Sequence, residues 1–177
     1  MIITLVGMPA AGKSCMSRAI TKRLGMRAVD GDKVIVERIG MELWQYIEQN
    51  GLEAFKRLEA QTLMSIDEDN IILAPGGSAI YYDDAMTYLK SRGPVVYLYV
   101  SFETMKRRLG DYSKRGMVLE EGKTLRDMYD ERCLLLEKYA DITINCDGNK
   151  YPVYQQQLID ELEKYTGSQQ QPKLNPF

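Results

Sequence analysis

The chain has 177 residues, 45% hydrophobic and 27% charged, with a formal net charge of −2, values ordinary for one globular domain with a sizeable core. No basic run exceeds three residues and no stretch approaches a membrane span, which disfavours nucleic acid and a bilayer as partners. Three cysteines without a C-x-x-C pair argue against a disulfide framework or a zinc site, and the absence of histidine leaves acid–base and metal roles to carboxylates, lysine, tyrosine and hydroxyls. A cytoplasmic protein is expected.

Ile2 to Val6 is a β-branched, apolar run, as in a buried parallel strand. It leads into Gly7-Met8-Pro9-Ala10-Ala11-Gly12-Lys13-Ser14, the G-x-x-x-x-G-K-[ST] phosphate-binding loop. Glycines let the backbone bend round a phosphate chain, and successive N–H groups point inward to cradle the anion. Lys13 would reach the β- and γ-phosphates and the Ser14 hydroxyl would hold Mg²⁺. Met16, Ile20 and Leu24 then recur at helical spacing, with Gly25 as the C-cap, so the loop meets a helix N-terminus whose dipole favours phosphate. Cys15 reads as a small residue packing behind the loop.

Met26 to Asp30 is a second short strand ending in Asp30-Gly31-Asp32. At the carboxyl end of a strand these acids would face the same crevice as the loop, although the same residues could serve as a turn that caps the next helix. Short helices are expected over 34–39 and 42–49, and a stronger one over 52–66 carrying Lys56 and Arg57. Asn70 to Ala74 is a buried strand running into Pro75-Gly76-Gly77-Ser78, where backbone can approach a ligand closely. No Asp or Glu ends that strand, so a metal must rely on Ser14, water and the Asp30/Asp32 pair.

A helix over 83–91, a strand over 95–100 and a helix bearing Lys106, Arg107 and Arg108 follow. Residues 110–124 are polar and weakly periodic, a lid pattern with Arg115 inside it. A long helix over 124–139 carries Arg132, a fifth strand covers 141–146, and Tyr154, Leu158, Leu162 and Tyr165 stripe a last helix. Residues 166–177, with three glutamines and two prolines, read as a disordered tail. Tyr81-Tyr82, Tyr97 and Tyr99 read as core and edge packing. Five strands alternating with helices predict an α/β fold over residues 1–165, a single domain with a parallel sheet wrapped on both faces.

In order along the chain, the phosphate loop, Asp30-Gly31-Asp32, Phe55-Lys56-Arg57-Leu58-Glu59, Gly76-Gly77-Ser78, Arg115-Gly116-Met117 and Arg132-Cys133-Leu134-Leu135-Leu136 before Ala140-Asp141 resemble the shikimate kinase family, within the nucleoside-monophosphate-kinase type of P-loop proteins. The family pattern has Asp-x-Asp, Phe-Arg-x-x-Glu, Gly-Gly-Gly, Arg-Pro-Leu and Arg-x-Pro-Leu-Tyr at these places. Lys56, Ser78, Gly116 and the leucine run are therefore departures, all on the acceptor or lid side. An arginine grips a carboxylate with two parallel bonds where a lysine offers a point charge.

The resemblance implies ATP as phosphoryl donor and a small carboxylated acceptor, shikimate first among them; a monomer is expected. Gly7, Ala10, Ala11, Gly12, Lys13, Ser14 and Cys15 would bind ATP, with Arg107 or Arg108, the latter preferred, near the adenine. Lys13 and Arg115 would neutralise the transferring group, and Ser14 and Asp30 would hold Mg²⁺. Asp32 would orient the acceptor hydroxyl and take its proton. Gly76, Gly77, Arg132 and either Lys56 or Arg57 would bind the acceptor, with the substrate-binding helices spanning about 33–66. The altered acceptor side leaves two other readings open: a kinase of another hydroxy acid such as gluconate, and a nucleotide-binding regulatory module without transfer chemistry.

Overall fold

The computed structural model describes residues 1–110, 122–148 and 150–169. Five strands, β1 (Ile2–Gly7), β2 (Arg27–Asp30), β3 (Ile71–Ala74), β4 (Val95–Tyr99) and β5 (Ile142–Asn145), form one parallel sheet in the order β2-β3-β1-β4-β5. Burial follows position in the sheet. Every residue of β1 and β3 is buried, because central strands are covered on both faces. The edge strand β5 alternates buried Ile142 and Ile144 with exposed Thr143 and Asn145.

Eight helices wrap the described part of the sheet: α1 (Lys13–Leu24), α2 (Gly31–Ile39), α3 (Leu43–Asn50), α4 (Leu52–Met64), α5 (Asp83–Arg92), α6 (Phe102–Leu109), α7 (Leu125–Tyr139) and α8 (Tyr151–Gln169). α1 packs on α8 and α4 on α5. One continuous core joins strand residues such as Leu5, Ile72 and Leu98 to helix residues such as Ile20, Leu89 and Leu158. The expected class, a five-stranded parallel sheet with helices on both faces, is the observed one. The expected tail is corrected at its start. α8 continues to Gln169, because half-buried Tyr165 carries its apolar stripe onto the core and Thr166 Oγ1 donates to Leu162 O at 3.1 Å. Residues 170–177 lie outside the described residues.

Strand register brings the loops of the site together. Asp30 pairs with Ala74 at the carboxyl ends of β2 and β3, and Gly7 pairs with Leu98 at the ends of β1 and β4. Chain reversals there open a crevice of the kind in which α/β proteins bind ligands. The loops after β2 and β3 approach very closely: a Cβ on Gly31 would stand 2.9 Å from Pro75 Cα and 3.3 Å from Ala74 O.

Gly31→Ala should therefore destabilise the fold by about 1–3 kcal/mol, the usual cost of overpacking. Helix propensity alone would favour alanine here by up to about 1 kcal/mol, so the expected sign is opposite to the local preference. Urea unfolding of the two proteins measures the difference; a midpoint unchanged or raised would show that the two loops are free to separate.

Candidate active site

The phosphate loop connects β1 to α1 through a backbone that leaves the usual regions twice. Gly12, the N-cap of α1, has φ 100°, and Ala10 has φ 60°. The first position explains the motif's second glycine: a Cβ there meets nothing within 4 Å, so conformation rather than space selects glycine. Ala11 N donates to Met8 O at 3.1 Å and closes the turn. Lys13, the first residue of α1, curls back over the loop, its Nζ donating to Gly7 O at 3.0 Å and Met8 O at 3.3 Å. Ser14 and Cys15 are exposed. Cys15 thus corrects the expectation that it packs behind the loop, because the first turn of α1 turns that face to solvent.

Asp30 and Asp32 combine the two roles their spacing allowed. Asp30 Oδ1 accepts from Asp32 N at 3.2 Å and caps α2, while the strand end still aims both acids at the loop. Their charges reach Lys13. Desolvation at the pocket wall, and then the Asp30 charge, push Asp32 above the usual carboxylate range. Burial, followed by the Arg132 charge, brings Lys13 down to about 8, against the opposing pull of Asp32 and Asp30.

A pocket of about 590 Å³ opens between these groups and the Pro75-Gly76-Gly77 turn. Lys13, Asp32, Lys56, Gly76, Gly77 and Arg132 all line it. Arg132, on α7, lies over the ring of Tyr81 at 5.5 Å and donates from Nε to the Tyr81 hydroxyl at 3.3 Å. It lies close over the bare backbone of Gly77: a Cβ there would stand 2.7 Å from an Arg132 terminal nitrogen. Leu43, Trp44 and Ile47 of α3 supply an apolar outer wall, and Trp44 is the chain's sole tryptophan.

The two cations of α4 separate. Lys56 lines the pocket and pairs with Glu53 at 2.8 Å, whereas Arg57 is exposed and not part of the lining. Successive helix residues point about 100° apart, which removes Arg57 from the candidate acceptor contacts. Arg108 donates to Cys146 O at 3.0 Å, which fixes it beside the end of β5 and outside the pocket lining. Arg115 and most of the expected lid fall in 111–121, outside the described residues. At the described end of that segment, Lys123 lines the pocket and pairs with Glu131 at 2.6 Å.

Glu59 belongs to the Phe-x-x-x-Glu motif, but the sequence assigns it no role in the pocket. Glu59 is fully buried on α4, and its Oε2 accepts from Ser78 Oγ at 2.5 Å and from the Tyr82 hydroxyl at 3.1 Å. Burial raises its pKa, against the two hydroxyl bonds. The signal was a glutamate in register with Phe55, Thr62 and Leu63 on the buried stripe of α4. The Tyr81-Tyr82 pair packs against the core, as expected, and in addition Tyr81 bonds Arg132 and Tyr82 bonds Glu59.

A strand–loop–helix phosphate cradle with a lysine over it, a strand-end aspartate pair opposite and a cation beyond define a P-loop kinase of the nucleoside-monophosphate-kinase type. The chain belongs to the shikimate kinase family, whose model matches residues 9–163. The shikimate kinase of Vibrio parahaemolyticus is 33% identical over 92% of this chain and 96% of its own length. A shikimate kinase from Acinetobacter baumannii, solved in complex with shikimate, has a TM-score of 0.80 at 28% identity, covering 97% of this chain and 95% of that one. One from Aquifex aeolicus shares the fold with a TM-score of 0.82 at 24% identity, over 94% of this chain and 98% of that one. The chain is thus similar to small-molecule kinases that use ATP, and no described helix is long and apolar enough to cross a membrane.

The pKa shifts give a bell-shaped pH profile for kcat/KM, which reports the free enzyme. Lys13 carries its charge only below about 8, so kcat/KM for ATP should fall as pH rises through that value, approaching tenfold per pH unit. On the acid side it should fall as Asp32 protonates, at a pH above the ordinary carboxylate value of 3.8. Steady-state kinetics across pH 4 to 10 (about the range needed to bracket both limbs) check this; an alkaline limb near the ordinary lysine value of 10.5 would contradict it.

Proposed function

We propose that this protein transfers the γ-phosphoryl group of ATP to a hydroxyl of shikimate, giving shikimate 3-phosphate. The observation that carries the reading is the convergence of Lys13, Asp32 and Arg132 on one pocket beside the phosphate loop. The A. baumannii relative bound to shikimate supports the choice of acceptor, and nothing in the comparisons favours gluconate or a purely regulatory module.

In this reading Gly7, Ala10, Ala11, Gly12, Lys13, Ser14 and Cys15 hold the phosphates, largely through backbone N–H groups, and Lys13 neutralises charge on the transferring group. Ser14 and Asp30 are hard oxygen donors, and Asp30 acts on the Lys13 charge from close by, so the donor set suits Mg²⁺. Mg²⁺, when bound, offsets phosphate charge. Asp32 accepts the hydrogen bond of the acceptor hydroxyl, orients it for in-line attack and takes its proton. Its raised pKa suits that task. Arg132 meets the acceptor carboxylate with its forked guanidinium, Lys56 adds a point charge, and Gly76 and Gly77 offer bare backbone. By resemblance Arg108 would sit near the adenine and Arg115 would be the lid cation. We take the enzyme to be a cytoplasmic monomer that binds no nucleic acid, with its free cysteines and net charge of −2 in support.

Acceptor-dependent ADP release with MgATP tests the reading. Saturable stimulation by shikimate is expected in the wild type, and Lys13→Ala should lower kcat by at least about 100-fold, the scale of losing a main electrostatic contact. Arg132→Ala and Lys56→Glu should raise KM for shikimate, and Arg57→Glu should leave it unchanged. ATP binding without shikimate-stimulated turnover, or saturable turnover only with a sugar acid, would overturn the proposed acceptor.

A further inference from the structure

The buried Glu59 carboxylate is where two departures from the family pattern meet. The pattern has arginine where this chain has Lys56, and glycine where it has Ser78. Residues three apart on a helix are neighbours, so an arginine at 56 would share a face with Glu59 and could grip it with two parallel bonds. Lys56 instead pairs with Glu53, on the preceding turn. Glu59 takes its partners from another element: Ser78 Oγ at 2.5 Å and the Tyr82 hydroxyl at 3.1 Å, both on Oε2. A glycine at 78 would supply no such hydroxyl.

This carboxylate is a strut between α4 and the turn after β3. Its Oε1 has no hydrogen-bond partner among the described residues and points at Gly76. A Cβ on Gly76 would stand 2.5 Å from Glu59 Oε1 and 2.8 Å from Asp32 Oδ1, so both carboxylates bear on the same bare backbone position. Glu59 also lines the pocket. Whatever holds Glu59 therefore holds the Gly76–Gly77 backbone and the neighbourhood of Asp32.

We propose that Ser78, assisted by Tyr82, is a positioning residue that takes over from a helix arginine as the partner of Glu59 and so fixes the acceptor wall of the pocket. The two departures are one compensated exchange: the arginine is lost from α4 and a hydroxyl is gained on the turn. A buried acceptor left without its donor costs the full desolvation of that group, so the hydroxyl bond is not dispensable once the arginine is gone. The inference rests on the acceptor reading given under Proposed function.

The test is a double-mutant cycle with Ser78→Ala and Lys56→Arg, read by kinetics and by thermal unfolding. Ser78→Ala should raise KM for shikimate about tenfold, the scale of one hydrogen bond to a charged group, and leave KM for MgATP within about twofold. Ser78→Thr, which keeps the hydroxyl, should recover most of the loss. Lys56→Arg should improve KM for shikimate far more in the Ser78→Ala background than in the wild type, and should restore the thermal midpoint that Ser78→Ala lowers. A merely structural Ser78 would shift both KM values together. An unchanged KM for shikimate in Ser78→Ala, or strictly additive effects of the two substitutions, would overturn the proposal. A wild type that binds ATP yet does not turn over shikimate would reject the acceptor reading alone. The thermal cycle needs no acceptor and would then decide: non-additivity sustains the exchange of partners on Glu59, and additivity overturns it.

Discussion

The site depends on a close approach between the turns that follow β2 and β3. Neither Gly31 nor Gly76 has space for a side chain: Pro75 fills the position of the first Cβ, and the Glu59 and Asp32 carboxylates fill the second. Adjacent parallel strands with Asp30 paired to Ala74 force the two turns together, and glycine is the residue that permits it. From this contact follow the placement of Asp32 opposite the phosphate loop, the exposure of bare backbone at Gly76 and Gly77, and the depth of the pocket. A shift of the turns by the width of one methyl group would move Asp32 relative to Lys13, on whose charge it acts.

Electrostatics in the pocket are balanced rather than dominated by one sign. Lys13 loses part of its hold on a proton to burial and to Arg132, and regains some from Asp32 and Asp30. Asp32 is pushed the other way by desolvation and by Asp30. Groups whose protonation is displaced toward neutrality from both sides suit a reaction that moves one proton and one highly charged group. Charge stabilisation and positioning are what phosphoryl transfer chiefly requires. Tyr81 and Tyr82 contribute by holding other groups, Arg132 through ring and hydroxyl and Glu59 through hydroxyl.

Much of this was legible in the sequence because it is local. The phosphate loop announces itself by glycine and lysine at fixed offsets between an apolar strand and a helical period, and the fold keeps that context. The strand ends and most helix bounds follow from periodicity and punctuation at Gly25, Gly40 and Gly51. What stayed hidden depends on contacts between distant segments. Glu59 is visible as the end of a motif, but its partners are not until Ser78 and Tyr82, about twenty residues on, are brought against it. Lys56 and Arg57 are equivalent cations in a string, and only the orientation of α4 separates them. The extension of α8 to Gln169 depends on Tyr165 reaching a core that polar composition alone cannot reveal.

The departures from the family pattern gain their meaning at the same level. Taken singly, Lys56 for arginine weakens a carboxylate grip and Ser78 for glycine adds a side chain beside a backbone that ligands approach. In the fold Ser78 bonds the buried Glu59, while Lys56, three residues before that acid on α4, pairs with Glu53. Residues that share a buried partner do not vary independently, because a change that strands the partner costs more than either contact alone supplies. The phosphate loop has no such freedom, since its geometry is dictated by the anion it cradles. The departures of this chain lie on the acceptor and lid side, where in the proposed exchange a buried carboxylate is held by hydroxyls in place of a guanidinium and still presents the same wall.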